Sequence, residues 1–289
     1  MNQKLLTVFV FSFFIQSQLF SQTKISLTKL WELDKGLSTP ESVAYDSLQN
    51  CLYISNFNDK TGFRNKQDTL FDEYISKVDL EGNLIEEKWV DSLLGPTGIM
   101  IHNDLLYVVE RGYLSKIAIN KQMVIERLPI PGTTFLNDIV IDKNGDVFLS
   151  DSKKEGTVWK VTQKKYEIWF SDSIIQNCNG LFLDHDKIIV GTRGQANLVS
   201  ISTSDKTIKA ITSKIADGID GLKKYGENFI VSWQYKIEVV GQSGKSVLLE
   251  DTSEEKDWNA DIELIENKNM IIVPTLLTNK LVAYKIIRE

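Results

Sequence analysis

The stretch LNDIVIDKNGDVFLSDS, residues 136–152, decides how the chain is interpreted. Its apolar residues 139–141 are followed by a turn at 142–145, and a second apolar run at 147–149 leads into a small polar cluster. Two short apolar runs joined by a turn that contains glycine are typical of a β-hairpin. Apolar runs this short and continuous indicate strands that are covered on both faces.

The same pattern recurs along the chain. Its copies read PESVAYD from Pro40, PTGIMIH from Pro96, LNDIVID from Leu136, CNGLFLD from Cys178, IDGLKKY from Ile219 and NADIELI from Asn259. We call the second residue of each copy its anchor; the anchors are Glu41, Thr97, Asn137, Asn179, Asp220 and Ala260. Their intervals of 56, 40, 42, 41 and 40 residues are typical of propeller blades. The sequence therefore predicts an all-β, six-bladed β-propeller over residues 22–289.

The sixth blade is incomplete in sequence order, because its last unit contains only three strand-like segments. Residues 24–33, KISLTKLWEL, precede the first anchor and have no blade of their own. We expect them to form the outermost strand of the sixth blade. Such a closure would leave no open seam at which strand edges could pair with other molecules.

The first 21 residues have the pattern of a secretory signal peptide. Lys4 is followed by the apolar residues 5–15, and a cut is expected between Ser21 and Gln22. The apolar run is too short to span a bilayer, and no later run is long enough. With no cysteine near the cut, a lipid anchor is not expected there, so we predict a periplasmic or secreted protein without a transmembrane segment in its mature chain.

The bulk composition narrows the possible partners. The formal net charge is −6 and there is no basic run, so nucleic acid is not an expected partner.

Cys51 and Cys178 belong to opposite units of a six-fold ring, too far apart for a disulfide, and are predicted to be unpaired and buried. His102 and His185 fall in turns at the far end of the channel and are read as exposed histidines. A small molecule is the expected substrate and a monomer the expected state.

The anchors suggest a metal site. All six inner strands of a propeller run in the same direction, so equivalent positions form a ring at one end of the channel. This ring contains two carboxylates and two carboxamides, followed by Asp138 and Asp261. Oxygen-only donors favour a hard cation, with Ca²⁺ as the first choice and Mg²⁺, Mn²⁺ or Zn²⁺ as alternatives. The alternative interpretation is a polar channel mouth that binds only water. Asp217 competes with Asp220 as the fifth anchor, although the spacing to the end of the next strand favours Asp220.

Four dipeptides, Pro40-Glu41, Asn137-Asp138, Asn179-Gly180 and Asp220-Gly221, resemble those of the senescence-marker-protein/gluconolactonase (regucalcin-like) family. That family is related to diisopropyl fluorophosphatase and the paraoxonases, and the resemblance covers essentially the whole mature chain. It implies one divalent metal bound by Glu41, Asn179 and Asp220, with Asn137 as a fourth ligand or a substrate contact. The chain departs from its relatives at Phe135, where sugar lactonases often have Arg, and at Thr97, where paraoxonases have His.

These observations lead to hypotheses about chemistry. Asp220 is the predicted general base or nucleophile and Asp138 its alternative, with Asn137 as a further catalytic contact. The predicted substrate rim consists of Thr97, Phe135, Arg111, Arg193 and Trp233. The long segment 57–73, which includes Phe63, Arg64 and Phe71, is either a lid over the pocket or a surface insertion. The chain is thus either a metal-dependent hydrolase of lactones or related esters, or a non-catalytic propeller that binds a ligand or protein at the same face.

Overall fold

The structure is a computed structural model that describes residues 24–57, 71–152, 155–163, 165–194, 197–213, 215–241 and 243–288. These residues form 24 β-strands in six four-stranded sheets, in which all neighbouring strands with a described register are antiparallel. The architecture is the predicted six-bladed β-propeller. The predicted signal peptide and residues 58–70 of the long loop lie outside the described residues.

Each blade is ordered from an inner to an outer strand. The inner strands are β2 (Pro40–Asp46), β6 (Ile99–His102), β10 (Leu136–Ile141), β14 (Leu181–Asp184), β18 (Leu222–Tyr225) and β22 (Glu263–Ile265). The second strands are β3 (Cys51–Asn56), β7 (Leu105–Glu110), β11 (Val147–Asp151), β15 (Lys187–Gly191), β19 (Asn228–Trp233) and β23 (Met270–Thr275). The third strands are β4 (Glu73–Asp79), β8 (Tyr113–Ala118), β12 (Thr157–Val161), β16 (Leu198–Ser202), β20 (Lys236–Val240) and β24 (Lys280–Arg288). The outer strands are β5 (Leu84–Leu93), β9 (Met123–Pro129), β13 (Tyr166–Ser171), β17 (Ile208–Ala210), β21 (Ser246–Asp251) and β1 (Ile25–Leu33). Short 3₁₀ turns span Ile119–Lys121, Ser173–Ile175 and Glu266–Lys268.

The inner strands follow one another around a closed ring. Contacts join β2 to β6, β6 to β10, β10 to β14 and β14 to β18, and β22 returns to β2. The sixth sheet has the order β22-β23-β24-β1, with Ile25 paired to Arg288 and Leu33 paired to Leu281. The prediction that the N-terminal strand completes the last blade is therefore confirmed.

Apolar residues are packed between neighbouring blades. All residues of β3 and β10 are buried, whereas β5 is largely exposed at the outer edge. One interblade cluster joins Tyr107 and Val109 of the second blade to Leu149 and Trp159 of the third. A blade cannot bury both faces alone, so the continuous apolar runs of the inner and second strands require the ring.

The two cysteines are free and buried, as predicted. The histidine prediction is correct only for His185, whose side chain is 90% exposed. His102 is half-buried, because its ring packs edge-on against Tyr107 with centroids 6.3 Å apart. It lines a separate cavity of about 620 Å³ that contains none of the anchors. Within the described residues, no helix is long and apolar enough to cross a membrane.

Candidate functional site

A cavity of about 440 Å³ lies at the anchor end of the channel. Four anchors from four different blades line it together; they are Glu41, Asn137, Asn179 and Asp220, and we call this set the acidic floor. Thr97 lines the cavity as well, whereas Ala260 is fully buried. Side chains far apart in the chain thus meet at one place, as the blade spacing indicates.

Backbone hydrogen bonds hold the anchors in equivalent positions. The N–H groups of Thr97, Asn179 and Asp220 each donate to a carbonyl of the second strand of their own blade, all at 2.9 Å. The residue after an anchor can also reach the next blade: Gly98 N–H donates to Asn137 C=O at 2.7 Å. The anchors are therefore fixed by the sheet and by the neighbouring blade, which suits a preorganised site.

Glycine follows three of the anchors because the neighbouring chain passes very close. A Cβ atom at Gly180 would lie 2.3 Å from the carbonyl oxygen of Asp220. At Gly221 it would lie 2.5 Å from the backbone nitrogen of Ile262. Any larger residue would push these blades apart, so the Asn-Gly and Asp-Gly dipeptides have a steric cause.

Unpaired oxygen atoms remain at the acidic floor. The Asn179 amide nitrogen donates to Asp220 Oδ1 at 3.1 Å, which leaves Asn179 Oδ1 buried without a hydrogen-bond partner. Glu41 is 4% exposed, and its Oε2 is also buried without a hydrogen-bond partner. Buried acceptors without a donor are costly, so these two oxygens suit contact with a cation or with a hydrogen-bond donor.

Burial and mutual repulsion raise the pKa values of both floor carboxyls. For Glu41 the pKa lies well above its ordinary range, because burial and the charges of Asp220, Asp261 and Asp138 outweigh a hydrogen bond from Asn137. For Asp220, burial and the charge of Asp261 raise the pKa to about 7, against the opposing effects of Arg193 and Asn179. Two such carboxyls attract a divalent cation or retain protons at neutral pH.

A second group of charges lies next to the floor. Asp138 Oδ1 accepts from Ile139 N–H and Oδ2 accepts from Leu181 N–H, at 2.7 and 2.5 Å. Asp261 Oδ2 accepts from the Ser42 hydroxyl at 2.7 Å. Both carboxyls have raised pKa values because they are buried. Asp138 is not among the described residues that line the cavity, although sequence reasoning placed it at the mouth as the alternative base.

The donor chemistry of the acidic floor fits one hard cation. Its donors are two carboxylates and two carboxamides, and two of their oxygen atoms have no protein partner. No group of three or more His, Cys, Asp and Glu side chains in the described part of the chain is arranged to hold a metal. A floor site would thus depend on its asparagine oxygens, as hard-cation sites often do.

The predicted rim residues separate into two groups. Thr97, Phe135 and Arg193 line the cavity, whereas Arg111 and Trp233 are not among its described lining residues. The guanidinium of Arg111 instead lies over the ring of Phe57, 5.7 Å from its centroid. Trp233 Nε1 donates to Glu238 at 2.9 Å, within its own blade.

A shift of one residue accounts for the difference at Trp233. Arg193 is the fourteenth residue after the anchor Asn179, and the fourteenth after Asp220 is Gln234, not Trp233. Gln234 does line the cavity. β19 ends at Trp233, and Gln234 follows it in a turn with a φ of 45°, so the two neighbouring side chains have different surroundings.

Several lining residues were not found from the sequence. Asn177 and Trp258, like Phe135 and Gly218, stand two residues before an anchor, which is the signal that could have identified them. A larger apolar group, which we call the apolar rim, consists of Phe57, Phe135, Trp258, Leu276 and Leu277. The rings of Phe57 and Phe135 lie 6.5 Å apart, and Trp258 packs edge-on against Tyr235.

Comparison with known proteins supports the fold. No protein-family model matches the chain, and no curated protein sequence matches it. A gluconolactonase from Xanthomonas campestris superposes with a TM-score of 0.69 at 12% identity, over 90% of this chain and 89% of that one. Virginiamycin B lyase from Staphylococcus aureus superposes with a TM-score of 0.62 at 12% identity, over 91% and 100% of the chains. In the nidogen/laminin complex, a matching chain gives a TM-score of 0.60 at 13% identity, over 74% and 81%. At these identities the likeness establishes the propeller architecture alone.

Proposed function

We propose that this chain is an exported, metal-dependent hydrolase of lactones or related esters. The observation that supports this most directly is the acidic floor, where Glu41 Oε2 and Asn179 Oδ1 are buried without hydrogen-bond partners in a cavity of about 440 Å³. The similarity in fold to a gluconolactonase is consistent with the reaction class. Export rests on the signal-like residues 1–21, and the intact mass of the protein recovered from culture medium or periplasm tests it.

Glu41, Asn137, Asn179 and Asp220 would hold the cation through side-chain oxygens. Ca²⁺ is the first candidate because the donors are all hard oxygens and lie in a cavity with space for water. Mg²⁺, Mn²⁺ and Zn²⁺ are the alternatives to be compared. When bound, a divalent cation supplies Lewis-acid polarisation of a substrate carbonyl and stabilises negative charge on its oxygen.

The protein's own residues would move the proton. Asp220 lines the cavity, and its carboxylate would accept a proton from water as the water oxygen attacks the carbonyl carbon. The same proton then passes to the leaving oxygen as the ester carbon–oxygen bond breaks. Asn179 orients this carboxylate through its hydrogen bond to Oδ1. Asp138 suits the role less well, since both of its oxygens already accept backbone N–H groups.

A second function is a non-catalytic propeller that binds a ligand at the same mouth. Two departures from the resembling family favour it, namely Phe135 and Thr97. The hydrogen of the Thr97 hydroxyl is already engaged, because the oxygen lies within hydrogen-bond distance of the carbonyls of Val109 and Leu136. A propeller of this kind would bind a cation or ligand without turnover.

One experiment separates the two functions. Purified protein is analysed for bound metal, and a panel of lactones and esters is assayed with calcium and with chelator. We expect chelator-sensitive turnover that falls by at least about 100-fold in Asp220→Asn, since a general base contributes on that scale. Asp217→Asn is the matched control, because Asp217 lines the same cavity outside the acidic floor. Calcium binding without turnover supports the ligand-binding propeller; turnover that survives chelation contradicts the metal-dependent hydrolase.

A further inference from the structure

Arg193 lines the cavity, and its side chain lies against a glycine. It stands two residues beyond the end of β15, where its backbone N–H donates to the Gln176 carbonyl at 3.2 Å. A Cβ atom at Gly218 would lie only 2.7 Å from the Arg193 Cγ and 2.8 Å from its Nε. Gly218 also has a φ of 117°, which favours glycine. The stem of Arg193 therefore packs on bare backbone, which holds its guanidinium group at the cavity wall.

That guanidinium group has no protein partner. In the described part of the chain it makes neither a hydrogen bond nor an ion pair, although the carboxyl group of Asp217 lines the same cavity. By contrast, Arg127 pairs with the buried carboxyl group of Glu110 at 3.1 Å. Arginine is also the only base among the described lining residues. A guanidinium group presents a planar fork of N–H donors that matches a carboxylate, so this one is available to an anionic group of a ligand.

Two side-chain amides line the cavity together with Arg193. Asn177 follows Gln176, the residue that accepts the Arg193 backbone N–H, and Gln234 follows β19. Both are half-buried, and among the described residues neither side chain makes a hydrogen bond. We call Arg193, Asn177 and Gln234 the donor wall. One positive charge and two neutral amides suit a carboxylate, which carries a single negative charge, better than a phosphate group, which carries nearly two.

The donor wall lies close to the acidic floor in the chain. Asn177 stands two residues before Asn179, and Gly218, which supports Arg193, stands two residues before Asp220. Two residues span at most about 7 Å even when the chain is fully extended. A ligand that reaches from the floor to the wall therefore needs only a few carbon atoms between its two polar ends.

We propose that the donor wall selects substrates that carry a carboxylate. The ester or lactone carbonyl would face the acidic floor, while a carboxylate a few carbon atoms away pairs with Arg193 and accepts from Asn177 and Gln234. This inference rests on the proposed function and deepens it. Hydrolysis of such a half-ester consumes one water and releases an alcohol and a dicarboxylate, and the carboxylate at the wall is unchanged throughout. Arg193 is thus a specificity-determining residue that acts on substrate affinity.

The test compares monomethyl glutarate with dimethyl glutarate, which differ by one methyl group and one charge, in calcium-containing buffer. We expect Arg193→Gln to raise KM for the half-ester by at least about tenfold, with little change in kcat, because a charge-assisted contact contributes on that scale. For the diester, KM should stay within about twofold. The ratio of kcat/KM for the two esters cancels any effect common to both, such as that of the Arg193 charge on Asp220.

Two further variants sharpen the comparison. Arg193→Lys keeps the charge and loses the planar fork, so it should recover part of the preference for the half-ester. Lys187→Gln is the matched control, because it removes a positive charge at the opposite end of β15, and its ratio should equal that of the wild type. Arg193 is exposed and unpaired in the described structure, so Arg193→Gln should remain folded by circular dichroism. An unchanged ratio in Arg193→Gln would overturn the inference and leave the hydrolase proposal intact.

A direct binding measurement separates this inference from the proposed function. If the wild type turns over neither ester, isothermal titration calorimetry with monomethyl glutarate in chelator decides on the donor wall. Binding that weakens by at least about tenfold in Arg193→Gln supports the inference, whereas equal binding in both proteins, or none in the wild type, overturns it. A wild type that also leaves every lactone and ester of the panel intact contradicts the hydrolase, whatever the calorimetry shows.

Discussion

The acidic floor and the apolar rim line the same cavity and differ in what fixes their side chains. The floor is held by backbone bonds within and between blades, and it retains unpaired oxygens. The rim is held by ring packing such as the contact of Phe57 with Phe135. A cavity with polar atoms in one region and apolar surface in another orients a ligand, because the polar end of the ligand binds the first and its apolar end binds the second. We therefore expect the floor to control metal binding and turnover, and the rim to control substrate affinity.

The largest effect is expected at Glu41. Glu41→Gln removes one of two floor carboxylates and should weaken calcium binding by at least about 100-fold, because affinity depends on ligand charge. It also removes buried repulsion, so the variant should melt at a higher temperature than the wild type in chelator. Isothermal titration calorimetry and thermal melts measure the two effects, with Glu126→Gln as an exposed control. Unchanged calcium affinity would contradict a floor site.

The pH dependence of stability should report on the ionisation of the floor carboxyl groups. The folded pKa of Asp220 is about 7, above its value of about 3.9 in an unfolded chain. The folded state therefore binds more protons than the unfolded state between these values, and the chelated protein should lose stability as pH rises from about 4 to about 7. The raised pKa of Glu41 acts in the same direction.

Calcium should offset this loss, because a bound cation replaces the protons. The difference in melting temperature between calcium and chelator is thus expected to be larger at pH 8 than at pH 5 in thermal unfolding. Asp220→Asn should flatten the profile measured in chelator. A chelated wild type that becomes more stable over this range would argue against ionised, uncompensated floor carboxyls.

The rim should respond differently. Phe135→Ala removes half-buried apolar surface from the cavity and is expected to raise KM for apolar esters by about tenfold, equivalent to about 1.4 kcal/mol. Calcium affinity and kcat should change little, because no floor contact is lost. Phe170→Ala is the control, since Phe170 packs on Trp169 in an outer strand. A loss of calcium binding in Phe135→Ala would break the division between floor and rim.

The smallest kinetic effect is expected at Trp233. Its indole pairs with Glu238 rather than lining the cavity, so Trp233→Phe should leave kcat and KM within about twofold. Its unfolding free energy should fall by about 1–3 kcal/mol, because a buried acceptor loses its donor. Gln234→Ala, one residue further on, should alter KM instead. Steady-state kinetics and denaturant unfolding of the pair test whether the one-residue correction is right.

Much of the fold could be predicted because the strand pattern repeats at a regular spacing along the sequence. The anchor spacing reveals the blades, and the missing fourth strand of the last unit reveals the role of β1. The same spacing brings the floor residues together. Gly180 and Gly221 belong to this readable part, since the close approach of neighbouring blades excludes other residues there.

The remainder depends on contacts between blades and on which way a side chain faces. The pairing of Lys223 with Asp261 and Glu263 joins two blades and has no local signature. Trp233 and Gln234 are neighbours in the sequence, yet Gln234 lines the cavity whereas Trp233 pairs with Glu238. Trp258 and Leu276 belong to the blade whose anchor is Ala260, so no polar signal drew attention to them. Their contribution to the cavity follows from the arrangement of the blades in the ring.

The pairing of β1 with β24 has a consequence for synthesis in the cell. A ribosome releases β1 first of the described strands and β24 last, so the ring stays an open row of blades for most of translation. Contacts this distant in the chain form slowly, because loop closure precedes any gain from pairing. The nascent protein therefore exposes unpaired strand edges until β24 has been synthesised. Chaperones that recognise such edges can bind during that interval.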